Sequence, residues 1–208
     1  MKTRYGSLIR LKPEWEERYI ILHKHVFPGV LNRIRQSNIR NYSIHLKQGL
    51  LFSYYEYRGD DYNLDMAQIQ DDPVTKDWWK LTDPMQQPLE SRKKGEWWAL
   101  MDEVFHWENR SRSSPNERTN RIALTAKLSG YSLNQIIQPL KTSYSNLEKT
   151  FDLNDIQNFS VFKKDSCFCS YLECADKNSI KAISKIQEAL SGGNNLDWLL
   201  MKEVFYTD

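Results

Sequence analysis

His23 is the residue best placed to move a proton. Tyr19 stands four positions before it and Phe27 four positions after it, so on a helix the three side chains share one face. Pro28 cannot donate to the carbonyl of Lys24, and its ring crowds that oxygen. A helix through His23 must therefore kink or end just beyond it and leave the imidazole at a mouth. With an ordinary pKa of about 6.5, imidazole gives and accepts protons near neutral pH, which suits a reaction that needs acid and base in succession. A histidine packed into a core is the plainer account of any single imidazole, and His25 and His45 rank below His23 as candidates.

Trp78-Trp79 is the second feature. Adjacent tryptophans on a helix or loop point in different directions, so one can serve the core while the other offers a flat apolar face to a ligand. Sugars have such a face: the C–H groups of a pyranose, and the methyl group of a 6-deoxy sugar, pack on aromatic rings while hydroxyls take Tyr, His and amide partners. Core packing is the competing account, and the preferred one for Trp97-Trp98. Tyr42 follows in a strand, on the side of Ile44 and Leu46 by period two, where its phenol reaches a ligand or caps a core position.

The elements that must hold these residues read strand, helix, strand, strand, helix, strand. Tyr5–Leu11 is a strand; Pro13 opens a long helix to about Ser37, where the missing N–H of proline costs nothing in the first turn. Ile39–Lys47 and Leu50–Tyr57 form a hairpin around Gln48-Gly49. Helix follows over Tyr62–Gln70 and, after Asp71-Asp72, over Pro73–Lys80; Met101–Trp107 closes the half as a strand. The polar stretch Glu108–Asn120, with Pro115, reads as a linker.

A second copy of the plan follows. At an offset of 117, Arg10-Leu11 falls on Lys127-Leu128, Asn41-Tyr42-Ser43-Ile44 on Asn158-Phe159-Ser160-Val161, and Ser53-Tyr54-Tyr55-Glu56 on Ser170-Tyr171-Leu172-Glu173. The closing strands also agree, Leu100-Met101-Asp102-Glu103-Val104-Phe105 with Leu200-Met201-Lys202-Glu203-Val204-Phe205, but at an offset of 100, so the second copy is shorter between its hairpin and its last strand. The fold expected is α+β, two tandem ferredoxin-like βαββαβ units whose sheets cover each other as an intramolecular dimeric α+β barrel. Residues 1–108 are then the catalytic domain, 109–120 the linker and 121–208 a degenerate scaffold, and a monomer suffices.

The copies differ where chemistry would be. The offset sets Leu140 opposite His23, Ile136 opposite Tyr19 and Phe159 opposite Tyr42. Each exchange keeps bulk and removes the polar handle.

Composition narrows the partners. Lys and Arg number 29 against 27 Asp and Glu, a net charge of +2, too small for an electrostatic grip on nucleic acid. No apolar run approaches the roughly 20 residues of a membrane span, and Met1–Trp15 holds no signal-peptide core, so a cytoplasmic setting is expected. Cys167, Cys169 and Cys174 are odd in number and bunched, with no histidine after His106 to complete a zinc set; buried thiols in and near a strand are expected, with no metal.

On the residues Glu17-Arg18-Tyr19, His23, Val26-Phe27-Pro28, Asn41-Tyr42, Trp78-Trp79-Lys80 and Glu103-Val104-Phe105, the first half resembles the L-rhamnose mutarotase family. That resemblance implies interconversion of the α and β pyranose forms of L-rhamnose or a related 6-deoxy-hexose without cofactor. It implies His23 as proton donor and Tyr19, Tyr42, Trp78 and Trp79 as sugar contacts. The fused second copy and the long stretch Leu81–Trp98 depart from the family's form. Two alternatives stand beside it: a non-catalytic sugar-binding module, and a cofactor-free oxygenase of the kind that dimeric α+β barrels also house.

Overall fold

The structure, a computed structural model, describes residues 2–109, 120–127, 156–174 and 197–208, together with single helical positions at 134, 137, 138, 140, 149, 151, 183, 184 and 187. It divides into two compact units, Met1–Met101 with Lys202–Asp208, and Asp102–Met201.

In the first unit β1 (Thr3–Leu11) leads to a 3₁₀ turn at Pro13–Trp15 and then to α1 (Glu16–His23) and α2 (Pro28–Gln36). The long helix expected from Pro13 to Ser37 is thus two helices. The break falls where proline chemistry puts it: α1 ends at His23, and Pro28 occupies the first turn of α2, where no N–H is required. Strands β2 (Ile39–Lys47) and β3 (Leu50–Tyr57) form the expected hairpin. Its central residues Gln48 and Gly49 have φ of 50° and 71°, the left-handed pair that two-residue hairpins with native twist require. Asp61 caps α3 (Tyr62–Asp71) by accepting from the Leu64 N–H at 3.0 Å. Asp72 does the same for α4 (Pro73–Thr82), accepting from the Thr75 N–H at 2.7 Å. A 3₁₀ turn at Asp83–Met85 and short strands β4 (Gln86–Gln87) and β5 (Ala99–Leu100) follow.

Strand β6 (Asp102–Glu108) leaves this sheet. It pairs with β8 (Ile156–Lys164) in the second unit, whose sheet runs β10-β7-β9-β8-β6 with β7 (Asn120–Lys127), β9 (Cys167–Cys174) and β10 (Leu199–Leu200). Conversely β11 (Lys202–Thr207), at the end of the second repeat, pairs with β2 of the first sheet, ordered β11-β2-β3-β1-β4 with β5 also on β1. Met101–Trp107 was expected to close the first half's own sheet; the closing strands are instead exchanged. The crossings match each other. Met101 donates its N–H to Gly6 O and Met201 donates to Ala123 O, each at 2.9 Å, just before the chain passes over.

The repeat is visible in the strand boundaries: β2 and β3 recur 117 residues later as β8 and β9 with identical lengths. Leu140 and Phe159, the counterparts of His23 and Tyr42, are fully buried in the second unit's core with Phe105, Trp107 and Trp198. Ile136 and most of the expected linker lie outside the described residues. The three cysteines sit on β9, none in a disulfide. Among the described residues no helix is long and apolar enough to cross a membrane.

Candidate functional site

The site is built in the first unit between α1, α4 and the β2 end of the sheet. His23 closes α1 with its Nδ1 2.9 Å from the carbonyl oxygen of Tyr19. A carbonyl only accepts, so Nδ1 carries the hydrogen and Nε2 keeps a lone pair. The imidazole is buried at 8% exposure and stacks on the Tyr19 ring with centroids 3.9 Å apart. Burial pulls its pKa down to about 4, and the bond to the Tyr19 carbonyl offsets only part of that. Near neutral pH His23 is an uncharged base.

Trp78 and Trp79 project from α4. Trp78 is buried and meets His23 and Phe27 edge to face at 5.2 and 5.3 Å, while Trp79 is half-buried. Tyr42 comes from β2 beside a bulge: pairing with β3 slips between Arg40 and Ser43, and Asn41 sits at φ 50°. The extra residue turns Ile39, Tyr42 and Ile44 to one face, which regular alternation would not do for Ile39 and Tyr42. Tyr42 packs edge to face on Phe205 and Tyr55 at 5.3 and 5.7 Å.

These side chains line two cavities that share His23, Tyr42, Ile44, Trp78 and Trp79. One, of about 200 Å³, is walled by Val30, Ile34, Ile39 and Phe205 and is apolar. The other, of about 530 Å³, adds Tyr19, Thr82, Asp83, Gln86 and Trp97. Its polar groups are ordered: Trp97 Nε1 donates to Gln86 Oε1 at 2.8 Å, which turns Gln86 Nε2 toward the Tyr19 hydroxyl at 3.4 Å. Burial raises the Tyr19 phenol well above its usual value and pushes Tyr42 up to about 12, so both stay neutral and able to donate. Burial also raises the half-buried Asp83 carboxyl, which has no hydrogen bond or ion pair from the described residues.

All five residues singled out in the sequence, His23, Tyr19, Tyr42, Trp78 and Trp79, therefore line one cavity. Of the other histidines, His25 is exposed, and His45 is buried with its Nε2 3.1 Å from Ser43 Oγ.

Residues 4–107 match the family described as L-rhamnose mutarotase. A relative from Sinorhizobium fredii, an L-rhamnose mutarotase, is 31% identical over 106 residues, which is 50% of this chain and 96% of the relative. The chain belongs to the L-rhamnose mutarotase family. Membership of that family makes it an isomerase-type enzyme. Two solved structures span the length of the chain. A putative monooxygenase from Fusobacterium nucleatum has TM-score 0.57 at 13% identity, covering 100% of this chain and 94% of that one. A putative monooxygenase from Lactobacillus acidophilus has TM-score 0.59 at 6% identity, covering 99% and 96%. At such identities the likeness is one of fold, ferredoxin-like α+β.

The mutarotase-family match stops short of Phe205, yet that ring stands 5.8 Å from His23 and walls the apolar cavity. The last strand of the chain thus adds an aromatic ring to the cavity wall. The sequence signal was present: Glu-Val-Phe is kept in both closing strands. Asp83 was also overlooked, though it stands four residues beyond Trp79 and so continues the same face of α4. Trp97, read as core, is 44% exposed and lines the larger cavity.

Proposed function

We propose that the chain interconverts the α and β anomers of L-rhamnose or a related 6-deoxy-hexose, with His23 as the proton-transfer group and Tyr19, Tyr42, Trp78 and Trp79 as the sugar contacts. One observation carries this reading: the Tyr19 carbonyl occupies Nδ1, so His23 keeps a lone pair on Nε2 within a walled cavity. A space of about 530 Å³ falls in the range of small-molecule sites, roughly 300–1,000 Å³. Its aromatic walls suit the C–H face and methyl group of a deoxy sugar. The donors Tyr19 and Tyr42 suit ring hydroxyls.

The resemblance implied His23 as a proton donor. A neutral imidazole held by its Nδ1–H acts first as a base. Nε2 takes the proton of the anomeric hydroxyl, the bond from C1 to the ring oxygen breaks, and that oxygen is protonated. The open-chain aldehyde rotates about its C1–C2 bond and recloses with the opposite configuration. Nothing covalent forms with the protein. Positioned acid or base assistance of this kind is worth about 10²- to 10⁴-fold. The oxygenase alternative rests on fold alone, and fold does not name a chemistry.

Saturation transfer between the α and β resonances of L-rhamnose, with L-fucose alongside, tests the reading. Wild type is expected to accelerate exchange and His23→Leu to leave it at the spontaneous rate. A wild type that binds rhamnose yet leaves exchange unchanged sinks the mutarotase reading in favour of a binding module.

A further inference from the structure

Ring opening moves two protons, one off the anomeric oxygen and one onto the ring oxygen, and a neutral His23 supplies only a lone pair. Beside the Tyr19 and Tyr42 phenols, the residues lining the cavity include one carboxyl. Asp83 follows α4 directly and lines the same space as His23, Tyr19 and Tyr42. Its carboxyl has no partner from the described residues, whereas the polar groups on either side, Thr82 and Gln86, are bonded to Trp78 and to Trp97 and Tyr19. A half-buried carboxylate without a cation or donor is costly unless a ligand or a proton satisfies it. Lys76 and Lys80 line a groove with Asp83 but pair with Asp71 at 3.6 Å and Asp77 at 2.8 Å, and Lys12 Nζ donates to the Pro84 carbonyl at 2.7 Å. The phenols of Tyr19 and Tyr42 are the titratable groups that share its cavity besides His23.

We propose that Asp83 is a catalytic residue, the second proton-transfer group of the site, working on the sugar opposite His23. The inference rests on the mutarotase reading and deepens it. As the C1–O5 bond breaks, protonated Asp83 gives its hydrogen to O5 while His23 Nε2 takes the hydrogen of O1. The aldehyde is left with an imidazolium on one side and a carboxylate on the other. Reclosure returns both protons, on either face of C1. Burial favours the neutral form of both groups. A bound sugar displaces the water still reaching Asp83 and favours its neutral form further. Two groups flanking C1 also hold their protons without relying on one imidazole to carry a proton between two oxygens.

The test is Asp83→Asn and Asp83→Glu beside wild type, in exchange rate at saturating L-rhamnose against pH and in sugar affinity by calorimetry. Asp83→Asn is expected to slow exchange by about 10²- to 10⁴-fold with affinity within about threefold, and to lose the alkaline limb of the wild-type profile. Asp83→Glu, which keeps the acid, is expected to recover part of the rate and that limb. An Asp83→Asn rate within about threefold of an active wild type overturns the role of Asp83 alone, as does a loss confined to affinity. A wild type that accelerates nothing overturns the mutarotase reading and this one with it.

Discussion

His23 Nδ1 lies 2.9 Å from the carbonyl oxygen of Tyr19, one helical turn earlier, and the two rings stack at 3.9 Å. The backbone of α1 therefore fixes both the tautomer and the ring plane of the proposed base. Burial holds the imidazole at a pKa of about 4. The acid limb of the exchange-rate profile should then centre near 4, not near the ordinary value of about 6.5. A profile for L-rhamnose exchange from pH 3 to 8 checks this; a limb at 6.5 would mean a solvated imidazole.

The same shift has a consequence for stability. The folded pKa of His23 lies below its unfolded value of about 6.5, so between about 6.5 and 4 the unfolded chain binds more protons. Stability falls as pH drops through that window and levels off below it. A shift of this size corresponds to about 3 kcal/mol. Urea unfolding at pH 7 and pH 4 should show wild type losing about that much more than His23→Leu. Acidic groups with shifted pKa values, such as Glu56 beside Lys2 and Arg58, act in both proteins and cancel in the comparison. Equal acid losses would refute the buried neutral imidazole.

Much of the first unit was legible in the sequence. Ile39–Lys47 and Leu50–Tyr57 coincide with β2 and β3 because β-branched and aromatic residues flank a turn that left-handed residues can make. His23, Tyr19, Tyr42 and the tryptophan pair were singled out by local spacing, by the contrast between the two copies and by the family resemblance, and they line one cavity. Strand pairing was less legible. The pattern of a strand chooses its buried face but not the sheet edge that takes it, and β6 and β11 have nearly the same sequence. Either strand meets the demands of either edge, so the exchange is invisible along the chain. Gln86 and Trp97 were missed for a different reason: residues 86–98 have no helical or alternating pattern, and their side chains are placed by tertiary contacts.

Asn41 offers a test of how Tyr42 is aimed. Its φ of 50° is tolerated by Asn and favoured by Gly, whereas a Cβ without a polar tip costs about 1–2 kcal/mol there. Asn41→Ala is expected to lower stability by about that amount and weaken rhamnose binding as the bulge relaxes and the Tyr42 phenol turns aside. Asn41→Gly should keep the bulge and most of the affinity. Thermal melts and calorimetry on both variants decide; equal behaviour would show that the bulge does not depend on the left-handed residue.

Phe205 and Phe105 hold equivalent places in the two closing strands and are buried alike, at 8% and 9% exposure. The strand exchange gives them opposite fates. Phe205 joins the first unit's core beside His23 and Tyr42, whereas Phe105 joins the second unit's core beside Phe159. Either change to Ala should cost about 3–5 kcal/mol in unfolding experiments, the range for a buried phenylalanine. Only Phe205→Ala opens the cavity wall, so at a temperature where both variants are folded it should raise the KM for L-rhamnose, while Phe105→Ala leaves the kinetics near wild type. If Phe105→Ala instead impairs exchange and Phe205→Ala spares it, each half closes its own sheet and the exchanged topology is wrong.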